Sequence, residues 1–178
     1  MKFIFRALAI FIAGGCAVVH ATNGNVLPKF VEYSVNVYHG QLKVPAYYKK
    51  TDGEWRDDMG KLVQPPGVNF AGKYYIGVHS CGADCRYYTL SDLVSGSDSS
   101  ALDMFSNDQG HPLKTSDGRT YMTSLVSRPD SKMLVAQYHI EQGDATKEQC
   151  RERFFSLDDD GKEVRPITKT LNFCTESH

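Results

Sequence analysis

Hydrophobic and polar positions alternate with a period of two over most of the chain beyond its first twenty-one residues, the spacing of a half-buried strand. Phe30-Val31-Glu32-Tyr33-Ser34-Val35-Asn36-Val37-Tyr38 alternates, His39-Gly40 turns the chain, and Gln41-Leu42-Lys43-Val44 reads as the returning strand. A polar, turn-rich stretch runs from Lys49 to Gly67 and contains Asp52-Gly53, Pro65 and Pro66. Lys73-Tyr74-Tyr75-Ile76-Gly77-Val78-His79 is aromatic and β-branched, and Arg86-Tyr87-Tyr88-Thr89-Leu90 follows a tight turn, so the two predict a hairpin.

Val94 to Ser100 reads as a Ser/Gly/Asp loop, Ala101 to Phe105 as a short strand, and Ser106 to Gly118 as a second polar loop. Strands are predicted at Thr120–Leu125 and Lys132–Ile140, parted by Arg128-Pro129-Asp130. Arg153–Leu157 and Glu163–Ile167 flank Asp158-Asp159-Asp160-Gly161, a hairpin signal, and Leu171–Cys174 adds a last strand. Asp144 to Arg151 is the one stretch that fits a helical pattern. Short strands at a spacing of roughly 8–12 residues predict an all-β chain of antiparallel hairpins, arranged as a sandwich, a barrel or a propeller-like array. No linker divides residues 22–178, so one β domain is expected there.

The first twenty-one residues do not share this pattern. Lys2 and Arg6 precede the apolar run Ala7–Val19, thirteen residues long, where a bilayer span needs roughly 20. That is the form of a secretory signal, with cleavage expected after Ala21 of Val19-His20-Ala21. Ala13-Gly14-Gly15-Cys16 offers the alternative of a lipoprotein anchored at Cys16, although Leu is missing three positions before the cysteine. A buried N-terminal helix is the remaining option. No later segment is apolar for long enough to span a membrane as a helix, so export to the periplasm without membrane insertion is expected.

Composition narrows the classes further. With 41% hydrophobic, 11% aromatic and 23% charged residues, the 178-residue chain is neither collagen-like, coiled-coil nor wholly disordered. Loss of Lys2 and Arg6 with the leader takes the 20 basic residues to 18 against 21 acids, a formal charge of −3. A nucleic-acid partner is not expected at that charge.

Cys81, Cys85, Cys150 and Cys174 lie beyond the leader, an even number in an exported chain, so disulfides are expected. Of three connectivities, Cys81–Cys85 brackets the turn-forming Gly82-Ala83-Asp84, and Cys150–Cys174 would tie the last strand back to an earlier one. Zinc would want two Cys-x2-Cys-type pairs and thioredoxin-like redox chemistry a Cys-x-x-Cys, neither of which is present.

Other chemistry is sparse. The histidines beyond the leader (His39, His79, His111, His139 and His178) form no His-x3-His or His-Glu-x2-His pair, and His79 and His139 sit in predicted strands, where packing explains them. Gly-x-Ser-x-Gly and the phosphate-binding loop are absent. Asp158-Asp159-Asp160-Gly161 lacks the twelfth-position Glu of a calcium loop and reads as a solvated turn. No cofactor or metal is expected. Tyr47-Tyr48, Tyr74-Tyr75 and Tyr87-Tyr88 are adjacent pairs, each expected to place one ring inward and one outward. Outward tyrosines suit a recognition surface, or simply serve strand propensity.

Val68-Asn69-Phe70-Ala71-Gly72-Lys73-Tyr74-Tyr75-Ile76, running into Cys81-Gly82-Ala83-Asp84-Cys85, resembles a family of small exported bacterial β proteins. Its motif is Asn-Phe-Ala-Gly, a basic residue, Tyr, a strand, then Cys-Gly-x-x-Cys. Ser131-Lys132-Met133-Leu134-Val135 and Phe154-Phe155 before Asp160-Gly161 extend the resemblance over about residues 65–168. His79-Ser80 stands where the family often has Trp-Gly. The general form is similar to periplasmic immunity proteins that protect cells from type VI secretion amidases, which are cysteine peptidases cutting peptidoglycan stem peptides.

The resemblance implies a non-catalytic enzyme inhibitor whose partner is a cognate cell-wall amidase. The inhibitor would place a polar loop in the enzyme's cleft, from Ser95, Ser97, Asp98, Ser99 and Ser100 or from Ser106, Asn107, Asp108 and His111. The alternatives are an envelope module binding carbohydrate or peptide, and a hydrolase with a His–Asp–Ser set.

Overall fold

The computed structural model describes residues 26–82, 85–107, 112–143 and 147–175. The expected leader with Cys16, the positions Asp108 and His111, and residues 144–146 of the expected helical stretch lie outside the described residues. The described chain is all-β and antiparallel. Nine strands run β1 Lys49–Thr51, β2 Glu54–Arg56, β3 Tyr74–Gly82, β4 Cys85–Asp92, β5 Ser97–Ser99, β6 Tyr121–Arg128, β7 Ser131–Ile140, β8 Gln149–Leu157 and β9 Val164–Pro166. They form sheets ordered β1-β2, β3-β4-β5 and β6-β7-β8-β9.

Alternation along the long strands sets two faces on each large sheet. Tyr74, Ile76, Tyr88 and Leu90 point to one face of the first sheet, and Leu134, Ala136, Phe155 and Leu157 to one face of the second; these meet in a shared core with Phe70, Leu102 and Phe105. The two sheets therefore face each other as a sandwich. The opposite faces are buried as well. Met133, Val135 and Phe154 are covered by Leu27, Phe30 and Leu171. Tyr48, Tyr75 and Leu93 are covered by Leu42, Val44, Trp55 and Val68. Burial on both faces explains why Tyr74 and Tyr75 are both inside, at 6% and 2% exposure, against the expectation of one outward ring.

The Asn-Phe-Ala-Gly segment is the joint between the sheets. Both ends of the Asn69 side chain bond the edge of β3, its Oδ1 accepting from Ile76 N at 2.7 Å and its Nδ2 donating to Ile76 O at 3.0 Å. The next turn reaches the other sheet, with Ala71 N donating to Ser131 O (3.0 Å) and Gly72 N to Pro129 O (2.7 Å). Phe70, with no exposed surface, fills the core between them.

The hairpins expected from Lys73 to Leu90 and from Arg153 to Ile167 are present as β3-β4 and β8-β9, and the strands expected at Thr120–Leu125 and Lys132–Ile140 pair as β6-β7. Both expected disulfides, Cys81–Cys85 and Cys150–Cys174, are formed.

Further expectations need correction. Residues 30–38 are not a strand. Phe30–Tyr33 form a 3-10 helix, and the chain then crosses the outside of the second sheet, where Val35 N donates to Asp130 O at 2.9 Å. Gln41–Val44 does not pair with it; Lys43 N donates to Leu93 O at 2.8 Å, and Leu42 and Val44 pack on the first sheet. The polar stretch 49–67 hides the β1-β2 hairpin, turned at Asp52-Gly53 with φ of 53° and 85°, the paired positive values that a type I′ turn requires. Ala101–Phe105 is a turn and a 3-10 helix, Asp103–Phe105, because Leu102 and Phe105 must reach one core from three positions apart. Ser97–Ser99 pairs with Leu90–Asp92 as β5 inside the expected loop, and the helical stretch enters β8 at Gln149.

Candidate functional site

The segment Ser95–Ser100 begins where β4 ends, and Asp92 organises it. Asp92 Oδ1 accepts from Val94 N (2.8 Å) and Ser95 N (3.1 Å), while Oδ2 meets Lys73 Nζ at 2.7 Å. Burial pushes the Asp92 carboxyl up, but the Lys73 ammonium and the two amides outweigh it, so the group sits below the usual carboxylate range. Gly96 N donates to Asp92 O at 2.7 Å and closes the turn.

Each candidate side chain then has a place. Ser95 Oγ and Ser97 Oγ lie 2.7 Å apart at the exposed tip. The Asp98 carboxylate accepts from Tyr47 OH at 3.0 and 3.1 Å and from Ser91 Oγ at 2.7 Å. Burial first, and the Asp98 charge next, raise the Tyr47 phenol. Ser99 Oγ donates to Gly161 O at 2.6 Å, tying the segment to the β8-β9 turn across a shallow groove that Lys162 and Asp160 also line. Ser100 is exposed. The structure thus brings Ser95, Ser97, Asp98, Ser99 and Ser100 together on one edge of the first sheet, with Ser95, Ser97 and Ser100 outermost.

Ser106 and Asn107 lie elsewhere and face inward. Ser106 Oγ accepts from Tyr88 N at 3.1 Å, and Asn107 N donates to Arg86 O at 2.7 Å, so both cover the part of the β4 edge that β5 leaves open. Asn107 is 2% exposed. A groove beside them is lined by Met59, Cys81, Tyr87 and Asp103.

The most elaborate polar constellation is one that no sequence spacing announces. His79, at 2% exposure, places Nδ1 2.9 Å from Asp57 Oδ2 and Nε2 3.0 Å from Tyr48 OH and 3.1 Å from Thr89 Oγ1. Asp57 Oδ1 accepts from Lys61 N (2.8 Å) and Met59 N (3.1 Å). Burial raises the Asp57 carboxyl, and the His79 bond and these amides more than offset it, so its pKa is net lowered. Tyr87 stacks on His79 at 4.6 Å between centroids and shuts the ring in. Gly77 lies where the network passes: a Cβ there would fall on Tyr48 OH and Thr89 Oγ1. Carboxylate, imidazole and hydroxyl are wired in the order of a nucleophile relay, but the site is sealed from solvent. It works as a strut that pins the turn after β2 to the first sheet. Nothing in the sequence joins positions 57 and 79: Asp57 lies between Arg56 and Asp58 in a polar stretch, and His79 between Val78 and Ser80 in a strand.

Among the described residues no three His, Cys, Asp or Glu side chains gather into a metal-ligating set, and no helix is long and apolar enough to cross a membrane. Comparison with protein-family models, curated proteins and solved structures returns no match to the chain.

Proposed function

We propose that the chain is an exported inhibitor, an immunity protein that protects the periplasm by occluding a peptidoglycan-cutting cysteine amidase delivered by type VI secretion. The observation that carries the reading is the Ser95–Ser100 edge: small polar side chains held in one conformation by Asp92, Ser91, Tyr47 and Gly161. A loop ordered during folding loses little further entropy on binding. Ser95, Gly96 and Ser97 offer hydroxyls and backbone groups at the tip without the bulk that would keep them out of a cleft. Two disulfides are compatible with an oxidising compartment.

Co-expression with a periplasm-directed amidase tests it. Protection from lysis and co-elution on gel filtration are expected, and Ser97→Arg, at an exposed site, should abolish both while leaving the fold intact. Continued lysis with no complex sinks the proposal. One observation favours a second reading, an envelope module that binds peptide or carbohydrate. Met59, 46% exposed, and Tyr87 line an open groove beside Cys81. Retention of the free protein on peptidoglycan fragments, lost in Tyr87→Ala, would select it.

A further inference from the structure

We propose that Cys150–Cys174 is a thiol-exchange site and that the segment it holds, Leu171–Thr175, is a redox-released latch over Glu152. Glu152 has no exposed surface. Its carboxylate accepts from Gln137 Nε2 (2.9 Å), Thr175 N (3.2 Å) and Thr175 Oγ1 (3.1 Å), and its backbone exchanges two hydrogen bonds with Leu171, at 2.7 and 3.2 Å. Several of the hydrogen bonds that this buried carboxyl group makes therefore arrive on the strap, and Cys174 is the strap's disulfide attachment.

The bond is open to attack. Cys150 and Cys174 are both half-buried and both line an outward groove with Gln149, Arg151 and Phe173, the last 53% exposed. Each sulfur also faces the group that its reduced form needs. Cys150 Sγ lies 3.8 Å from His139 Nδ1, its cross-strand partner on β7. Cys174 Sγ lies 3.3 Å from Arg151 O, an acceptor for a thiol proton. Cys85 faces only a carbonyl, Asn107 O at 3.5 Å, so among the described residues the imidazole distinguishes the second pair.

The step balances with a monothiol as reductant. A thiolate entering the groove attacks Cys174 Sγ; the new S–S bond forms as the Cys150–Cys174 bond breaks. The electron pair leaves on Cys150 Sγ, which takes a proton from water and keeps His139 Nδ1 beside it as a hydrogen-bond partner. A second thiolate attacks the mixed disulfide at the sulfur of the first thiol, releasing the oxidised reductant and Cys174 as a thiolate that takes its proton from water. Two thiols have been oxidised and two cysteines reduced. A leaving thiolate that a neighbouring imidazole stabilises departs faster. With the bond open, the strap keeps only noncovalent contacts, among them the two Leu171 backbone bonds and those of Thr175 with Glu152 and Gln137, and its release bares Glu152 and the Leu171 side of the Phe154 cluster.

The folded full chain is incubated with reduced glutathione at neutral pH, quenched by alkylation and mapped by mass spectrometry. Opening of Cys150–Cys174 is expected while near-UV circular dichroism stays native, and about tenfold slower in His139→Asn. Opening no faster than global unfolding, or an equal rate in His139→Asn, overturns the exchange site. The latch has its own readout. In the Cys150→Ser, Cys174→Ser double variant, exchange of the Leu171 and Glu152 amides should rise at least tenfold over wild type; unchanged protection there overturns the latch.

Discussion

The outer flanks of the sandwich are closed by opposite means. On the first sheet, residues 42–68, Tyr48 among them, lie over Tyr75 and Leu93 and are keyed by the sealed Asp57–His79 pair, with no covalent bond. On the second, two separate stretches around Phe30 and Leu171 lie over Met133, Val135 and Phe154, keyed by the Cys150–Cys174 bond and by Glu152 with neutral donors. The difference shows what irregular chain needs in order to dock. Without a full strand ladder, its backbone supplies few of the contacts that fix position, so side chains must do so. Both flanks use a buried carboxylate that accepts backbone N–H groups of the docked chain: Asp57 from Lys61 and Met59, Glu152 from Thr175. One flank thereby answers to acid and the other to reductant.

The largest expected effect comes from breaking the Asp57–His79 key. Asp57→Ala leaves His79 buried without its carboxylate and the Met59 and Lys61 amides without an acceptor, a loss of about 4 kcal/mol. That should lower the melting temperature by roughly 10 °C or more. A smaller loss would mean that apolar packing on Tyr48 and Tyr75 holds the flank by itself. Next come the covalent keys. Cys150–Cys174 closes a sequence separation of 24 and Cys81–Cys85 one of 4. Restricting the unfolded chain makes these worth about 3.5 and about 2 kcal/mol. Paired Cys→Ser variants compared by urea unfolding should therefore keep that order, and the reverse order would place the stabilising weight on the β3-β4 tip.

How far these keys could be read from the chain depended on how local they are. The β3-β4, β6-β7 and β8-β9 hairpins were legible because alternation and a turn signal sit side by side in sequence, and the Cys81–Cys85 turn reinforced the first. Residues 30–38 carried the same alternation, but a period of two says which side chains share a face and not whether a partner strand exists. Phe30 found its place on Met133 and Phe154 instead. Ser97–Ser99 has no apolar residue and poor strand propensity; it became β5 because Leu90–Asp92 offered an unpaired edge. The polar segment Ser95–Ser100 was legible as a surface feature. What its composition could not show was that Asp98 and Ser99 are engaged by Tyr47, Ser91 and Gly161, which come from distant parts of the chain. Asp57 and His79 escaped for the same reason.

A smaller effect separates the flanks by pH. The Asp57 carboxyl has a lowered pKa in the folded chain. A depressed folded pKa contributes stability that is present above the unfolded value, about 3.9, and is lost as pH falls through it toward the folded value. Melting temperature should therefore drop below about pH 4 in wild type, and less steeply in Asp57→Asn, which starts lower and has no charge there to lose. Parallel curves would show that other carboxylates, Asp92 among them, set the acid limit.

The smallest effect tests the rule that buried polar groups are there because they hold something. Thr123 is 2% exposed on the inner face of β6, and among the described residues its hydroxyl has no hydrogen-bond partner. Its carbonyl is bonded by Tyr88 OH at 2.5 Å, but that contact needs no particular side chain. An unanswered buried hydroxyl costs about 1–3 kcal/mol in desolvation, and valine has nearly the same shape with a higher strand propensity. Thr123→Val should accordingly be neutral or stabilising by about 1 kcal/mol in urea unfolding, whereas Asp57→Ala is strongly destabilising at similar burial. The contrast depends on partners and not on depth. If Thr123→Val instead costs more than about 1 kcal/mol, its hydroxyl has a role in the core between the sheets, and polar keys are not confined to the flanks.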